Sequence, residues 1–196
     1  MFTLFKKKQD ENEAAARLYE VIIAQSREPA FYEAYEVPDT VDGRFDLICL
    51  HTFLVMNRLF TAGRHGTKLA QGLFDYMFRD MDRVLREMGV GDLGVPKQMK
   101  RMMKGFNGRA MAYREALRSE DPYDLVYTIM RNLYGSMPEP SEDNAKIMAL
   151  YIHETISFLA KQPDESVLQG YIEFKVMDNG EDEEETADPA GMAAQG

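Results

Sequence analysis

"LAQGLFDYMFRDMDRVLREM", residues 69–88, decides the fold class. Leu69, Leu73, Met77, Met81, Leu85 and Met88 recur at three- and four-residue spacing, so they share one face of an α-helix. Phe74, Phe78 and Val84 widen that apolar stripe. Asp75, Arg79, Asp82, Arg83 and Arg86 fill the other side, with Asp82 and Arg86 one turn apart. Gly89 and Gly91 end the helix, because glycine accepts the left-handed geometry that closes one.

The same grammar extends in both directions. Upstream, a helix from near Asp42 to Gly63 contains "LICLHTFLVM" (47–56), apolar nearly all round, which marks it as central. Before it, "NEAAARLYEVIIAQSRE" (12–28) is a helix that stops ahead of Pro29, since proline disfavours helical geometry in its predecessor. "FYEAYEV" (31–37) is one further turn, closed by Pro38. Downstream, Pro96 opens a helix that runs to about Ser119, and Asp121-Pro122 starts a shorter one reaching Gly135. Ser141 begins the last long helix, which ends before Pro163. "GYIEFKV" (170–176) is a short strand or an extended segment laid on the body. The predicted fold class is all-α, a single compact domain of about six or seven helices over residues 13–176.

Composition sets further bounds. A chain of 196 residues with 45% hydrophobic and 11% aromatic residues can bury one core without disulfides, and its single cysteine allows none. The net charge of −10 is uneven, because residues 177–196 hold seven acids and no Lys or Arg. That acidic tail is expected to be disordered. Residues 1–12, with "MFTLF" ahead of "KKK", are expected to form a flexible terminus able to touch a membrane surface weakly. No apolar run approaches the roughly 20 residues of a membrane span, and no signal peptide is evident, which predicts a cytoplasmic protein.

The familiar chemistries fail one by one. The residues three before His51, His65 and His153 are Ile48, Ala62 and Leu150, so a helical di-iron motif is missing each time. One cysteine with scattered histidines supplies no zinc cluster, and Cys49 and His51 read as core residues. Setting Asp42-Gly43 at the fifth and sixth positions of a calcium loop puts Pro38, Thr40 and Cys49 where ligands belong. "GFNG" (105–108) matches a nucleic-acid clamp in four letters, yet lies inside a helical pattern. Phosphate-binding and nucleophile motifs are not found. No catalytic residue, metal or cofactor is predicted, and no DNA partner.

Two surfaces remain as candidates for binding. The helix after Pro96 carries Lys97, Lys100, Arg101, Lys104 and Arg109, continued by Arg114 and Arg118, against the single acid Glu115. Such a row is either a solvated face or a patch for anionic lipid or ribosomal RNA. The second candidate lies in residues 31–51, where Phe31, Tyr32, Tyr35, Val37, Pro38, Asp39, Asp42 and Arg44 could form a client or partner surface. In the alternative reading the segment is a helix cap, with Asp42 capping, Gly43 turning the chain, and Asp39 paired with Arg44. The 14 methionines fill core gaps or line a groove for apolar clients.

Residues 26–59, which include "VPDTVDGRFD" (37–46), and residues 69–117, which include "LFDYMFRDMDRVLREMGVGD" (73–92), resemble the ubiquinol–cytochrome c chaperone family, in its alphaproteobacterial-type branch. The similarity covers about residues 13–175. It implies a non-catalytic assembly factor of the cytochrome bc1 complex (respiratory complex III), acting on newly made cytochrome b with a small partner protein, near ribosome and inner membrane. That would place the protein in the cytoplasm or peripherally on the cytoplasmic side of the inner membrane. Two rivals stay open: a helical adaptor or ribosome-associated protein without bc1 specificity, and an enzyme with an unfamiliar site.

Overall fold

The computed structural model describes residues 2–175 of the chain, and eight α-helices lie among them. They are α1 (Phe2–Gln25), α2 (Ala30–Glu33), α3 (Val41–Thr61), α4 (Gly63–Glu87), α5 (Val95–Ala116), α6 (Tyr123–Asn132), α7 (Glu142–Ala160) and α8 (Asp164–Leu168). The all-α reading holds, and two of the eight are single turns. Helix α1 already includes residues 2–12, and the acidic stretch 177–196 lies outside the described residues.

Helix α3 is the axis of the body. It packs against α1, α4, α5 and α7, and buries Leu47, Leu50, Leu54, Val55 and Leu59 completely or nearly so. This is why its sequence is apolar nearly all round: a helix touched on four sides keeps little face for water along its middle turns. Helix α4 lies across α1 and α3, with Leu69, Leu73 and Met77 inward. Gly89 has φ of 83°, its amide bonds Arg86 O, and the next amide bonds Leu85 O. Those paired bonds close α4 with the glycine cap expected from the sequence. Helix α7 is capped as predicted, Ser141 Oγ accepting from the Asn144 amide at 3.2 Å.

The segment after α8 is extended rather than a strand. Ile172 is buried, and the Gln162 side chain brackets Glu173, accepting from its amide at 3.1 Å and donating to its carbonyl at 2.7 Å. Arg17 of α1 donates to Gln169 O at 2.6 Å, so α1 and the chain's last described turn are tied together.

Candidate functional site

The stretch 31–51 is built around a buried histidine. His51, one turn into the apolar run of α3, donates from Nδ1 to Leu47 O at 2.9 Å, and Ser26 Oγ stands 2.9 Å from the same nitrogen. Because a carbonyl only accepts, the proton sits on Nδ1 and Nε2 accepts from the Tyr151 hydroxyl at 2.8 Å. Phe31, Tyr151 and Phe174 meet the imidazole edge-on. Complete burial lowers the His51 pKa to about 4, so the ring is neutral. This is a satisfied core histidine.

Phe31 and Val37 belong to that core and not to a surface, which corrects their placement among partner-binding candidates. Tyr32 and Tyr35 are half-buried. The Tyr32 hydroxyl donates to Ser26 O, and Tyr35 O accepts from the Tyr134 hydroxyl, both at 2.7 Å. Pro38 is half-buried, while Asp39, Asp42 and Arg44 are exposed. Asp39 and Arg44 pair through two contacts, Nε–Oδ1 at 2.6 Å and Nη2–Oδ2 at 3.1 Å. The Arg44 hydrogen bonds hold the Asp39 carboxyl below the usual carboxylate range.

The helix cap is not Asp42. Thr40 is the N-cap of α3, extended at φ −122°, and its hydroxyl accepts from the Gly43 amide at 3.0 Å. Asp42 instead sits in the first turn, where a negative charge complements the helix dipole. Gly43 is needed for a close approach: a Cβ there would lie 2.0 Å from Pro38 O. No periodicity could have revealed that contact, since it depends on how the loop folds back on α3.

The cationic helix divides. Lys97, Lys100, Arg101 and Lys104 are exposed on α5, but Arg109 turns inward. Its Nη2 reaches Asp46 Oδ1 of α3 at 2.6 Å, an ion contact without the direction of a hydrogen bond, and its guanidinium lies over the Phe45 ring. Arg109 therefore leaves the surface patch. Gly105 leaves the guanidinium room, since a Cβ at that position would stand 3.0 Å from Arg109 Nη1. Asp46 is 9% exposed, and its desolvation outweighs the attraction of Arg109, raising its pKa to about 7.

Beside this pair lies a cavity of about 580 Å³ between α3, α4, α5 and the end of α6. Phe45, Leu85 and Met102 are among its apolar walls, and Asp42, Asp46, Arg101, Arg109, Arg131 and Asn132 are among its polar ones. The sequence singled out Arg101 and Arg109 but missed Arg131, Asn132 and Asp46, which only the packing of α6 and α3 around α5 brings together. Among the described residues no three His, Cys, Asp or Glu side chains converge as a metal site, and no helix is long and apolar enough to cross a membrane.

Eight helices among the described residues, with exposed cations along α5 and a mixed polar and apolar cavity beside Arg109, define an all-α protein. The family model "Ubiquinol-cytochrome C chaperone" matches residues 33–174, and the chain belongs to that family. It is similar to the Cbp3 homolog from Brucella abortus seen in a crystal structure. The two are 35% identical, with 92% of this chain and 98% of that chain covered and a TM-score of 0.76. It is also similar to ubiquinol-cytochrome c reductase complex assembly factor 1 of Mus musculus, 23% identical over 79% of this chain and 52% of that protein. The Homo sapiens protein of the same name is 24% identical over 79% of this chain and 51% of its own length. The chain thus spans about half the length of these two relatives.

Proposed function

We propose that this protein is a non-catalytic assembly factor for ubiquinol-cytochrome c reductase, the cytochrome bc1 complex, and that it attends newly made cytochrome b. The observation that carries this reading is the likeness to the bacterial Cbp3 homolog, 35% identical with a TM-score of 0.76 across 92% of the chain. The names of the mouse and human relatives support the client complex.

The geometry suits a holdase-like part. The body is a set of tightly interlocked helices around α3, and the groups it leaves outward are adaptable ones. Tyr32, Tyr35, Pro38, Asp39, Asp42 and Arg44 offer a mixed aromatic and charged surface for a client or a small partner protein. The exposed Lys97, Lys100 and Lys104 of α5 would lie against a ribosome or an anionic membrane. We place the protein in the cytoplasm or peripherally on the cytoplasmic side of the inner membrane.

The test is deletion of the gene in its source organism, followed by a reduced-minus-oxidised spectrum of the membranes. Loss of cytochrome b and of bc1 activity, with other respiratory complexes retained, is the expected result. Unchanged cytochrome b under conditions that demand the bc1 complex would overturn it. The exposed cations of α5 would then favour the second reading, a helical adaptor or ribosome-associated protein without bc1 specificity.

A further inference from the structure

The cavity beside Arg109 is polar where a core should not be. Asp46 Oδ1, Arg109 Nε and Asn132 Nδ2 are all buried without a hydrogen-bond partner, and all three residues line it. Buried polar atoms are nearly always satisfied, because leaving one bare forfeits its hydration for nothing. Two of the three are donors. Arg101 and Arg131 also line the cavity, are exposed, and have no ion-pair partner among the described residues. Three guanidiniums thus face the acids Asp42 and Asp46, and Asp46 is already offset by Arg109. The missing group is one that accepts hydrogen bonds and carries negative charge.

The surroundings say where that group comes from. Val41 and Met88, both lining the cavity, are 75% and 65% exposed, and Leu93 on the neighbouring α4–α5 turn is 96% exposed. Lys97, Lys100 and Lys104 follow directly on α5. Apolar side chains that protrude beside a row of cations are the arrangement of a segment that dips into a membrane interface, the cations meeting head groups. A free anion would need the cavity but not the apolar rim.

We infer that the cavity between α3, α4, α5 and α6 is a head-group site for an anionic phospholipid, with the phosphate held by Arg101, Arg131 and the buried donors, and Val41, Met88 and Leu93 resting among the acyl chains. A hydroxylated head group such as phosphoglycerol would also donate to Asp46 Oδ1. The site rests on the peripheral-membrane part of the proposed function, and it gives that part an address.

The experiment is flotation of the full chain with phosphatidylcholine vesicles, with and without phosphatidylglycerol, across a salt series. Binding is expected only to the anionic vesicles. Arg101→Gln with Arg131→Gln removes two exposed cations inside the cavity, and Lys97→Gln with Lys104→Gln removes two on the same helix outside it. Cations near an anionic surface act additively, so the outer pair should lower affinity about thirtyfold. The inner pair should lower it further, and its loss should persist at high salt, because a seated phosphate is shielded from screening. Thermal melts establish that both variants fold.

Equal losses from the two pairs would reduce the site to a diffuse patch and overturn the inference. Failure of the parent protein to float with anionic vesicles would overturn it too. So would saturable binding of inorganic phosphate, or of an acidic peptide, without vesicle binding. The assay holds no client, so its failure is separate from the outcome of the deletion.

Discussion

Arg58 and Asp164 join the end of α3 to the start of α8 at 2.5 Å, and they do so unequally: the Arg58 side chain is 6% exposed and that of Asp164 61%. Arg58 also donates to Leu159 O at 2.9 Å, to Gln162 O at 2.6 Å and to Thr61 Oγ1 at 3.0 Å. Leu159 O also accepts from the Gln162 amide at 3.2 Å, and Gln162 lies just past the end of α7, so Arg58 is an additional donor that a neighbouring helix brings to the α7 C-terminus. Removing it breaks the bonds to Leu159 O, Gln162 O, Thr61 Oγ1 and Asp164 together and empties a side-chain site that is 6% exposed. Arg58→Met should cost about 3 kcal/mol in urea unfolding. Asp164→Asn should cost less than about 1 kcal/mol, because the carbonyl bonds survive and the lost charge is exposed. Equal losses would mean that the ion pair, not the carbonyl bonds, is what matters.

Two glycines in helices make opposite predictions. A Cβ at Gly43 would lie 2.0 Å from Pro38 O and 3.0 Å from its carbonyl carbon, so the loop must shift to admit it. Gly43→Ala should destabilise the protein by about 2–3 kcal/mol through overpacking against backbone. At Gly108, in α5, nothing lies within 4 Å of the added atom. There Gly108→Ala should stabilise by about 0.5–1 kcal/mol, since alanine loses less backbone freedom on folding. The same denaturation series reads both, and a matching sign would refute the contact argument.

The cap of α3 is tested by a second pair. Thr40→Ala removes the hydroxyl that accepts from the Gly43 amide and should cost about 1 kcal/mol. Arg44→Ala breaks an exposed pairing with Asp39 and an exposed cation–π contact with the Tyr32 ring, and should move the unfolding midpoint little. If Arg44→Ala weakens client or partner binding while the melt stays constant, the exposed edge of this turn is a surface. A large fall in stability from Arg44→Ala alone would return the residue to the role of a structural strut.

What was legible in the sequence was whatever repeats along the chain. The stripe from Leu69 to Met81, the central apolar helix, the glycine after α4 and the serine before α7 all follow from local spacing and stand where it puts them, while Val84 and Met88 at the stripe's far end are exposed. What was hidden depends on chain segments meeting from afar. Arg109 looked like one more surface cation, because nothing local shows that Gly105 leaves its guanidinium room beside Asp46, 63 positions upstream. Spacing does not separate Thr40 from Asp42, since either can cap and only the loop's return to α3 chooses. Helix α8 is five residues long, too short for a period to register. Asn132 and Arg131 carried no signal at all until α6 was laid against α5.

Two buried groups titrate in opposite senses and give the pH profile of stability two opposing slopes. His51 has a pKa of about 4 in the fold against about 6.5 in an unfolded chain, so as pH drops through that interval only the unfolded state gains the proton. Its contribution is intact above about 6.5 and falls by up to about 3 kcal/mol towards pH 4. Asp46 runs the other way, with a pKa of about 7 in the fold against about 3.9 unfolded. There the native state keeps the proton longer, so stability is highest at low pH and is lost as pH rises from about 4 to 7. The two slopes oppose each other over the same window, and the parent protein should show a shallow profile. Asp46→Asn removes the falling limb, so unfolding free energy should then climb steeply from pH 4 to 6.5. His51→Gln removes the rising limb and should leave a protein that weakens as pH increases across the same range. Urea midpoints at half-unit pH steps would read this, and a profile of the same shape in all three proteins would show that neither group titrates as its burial dictates.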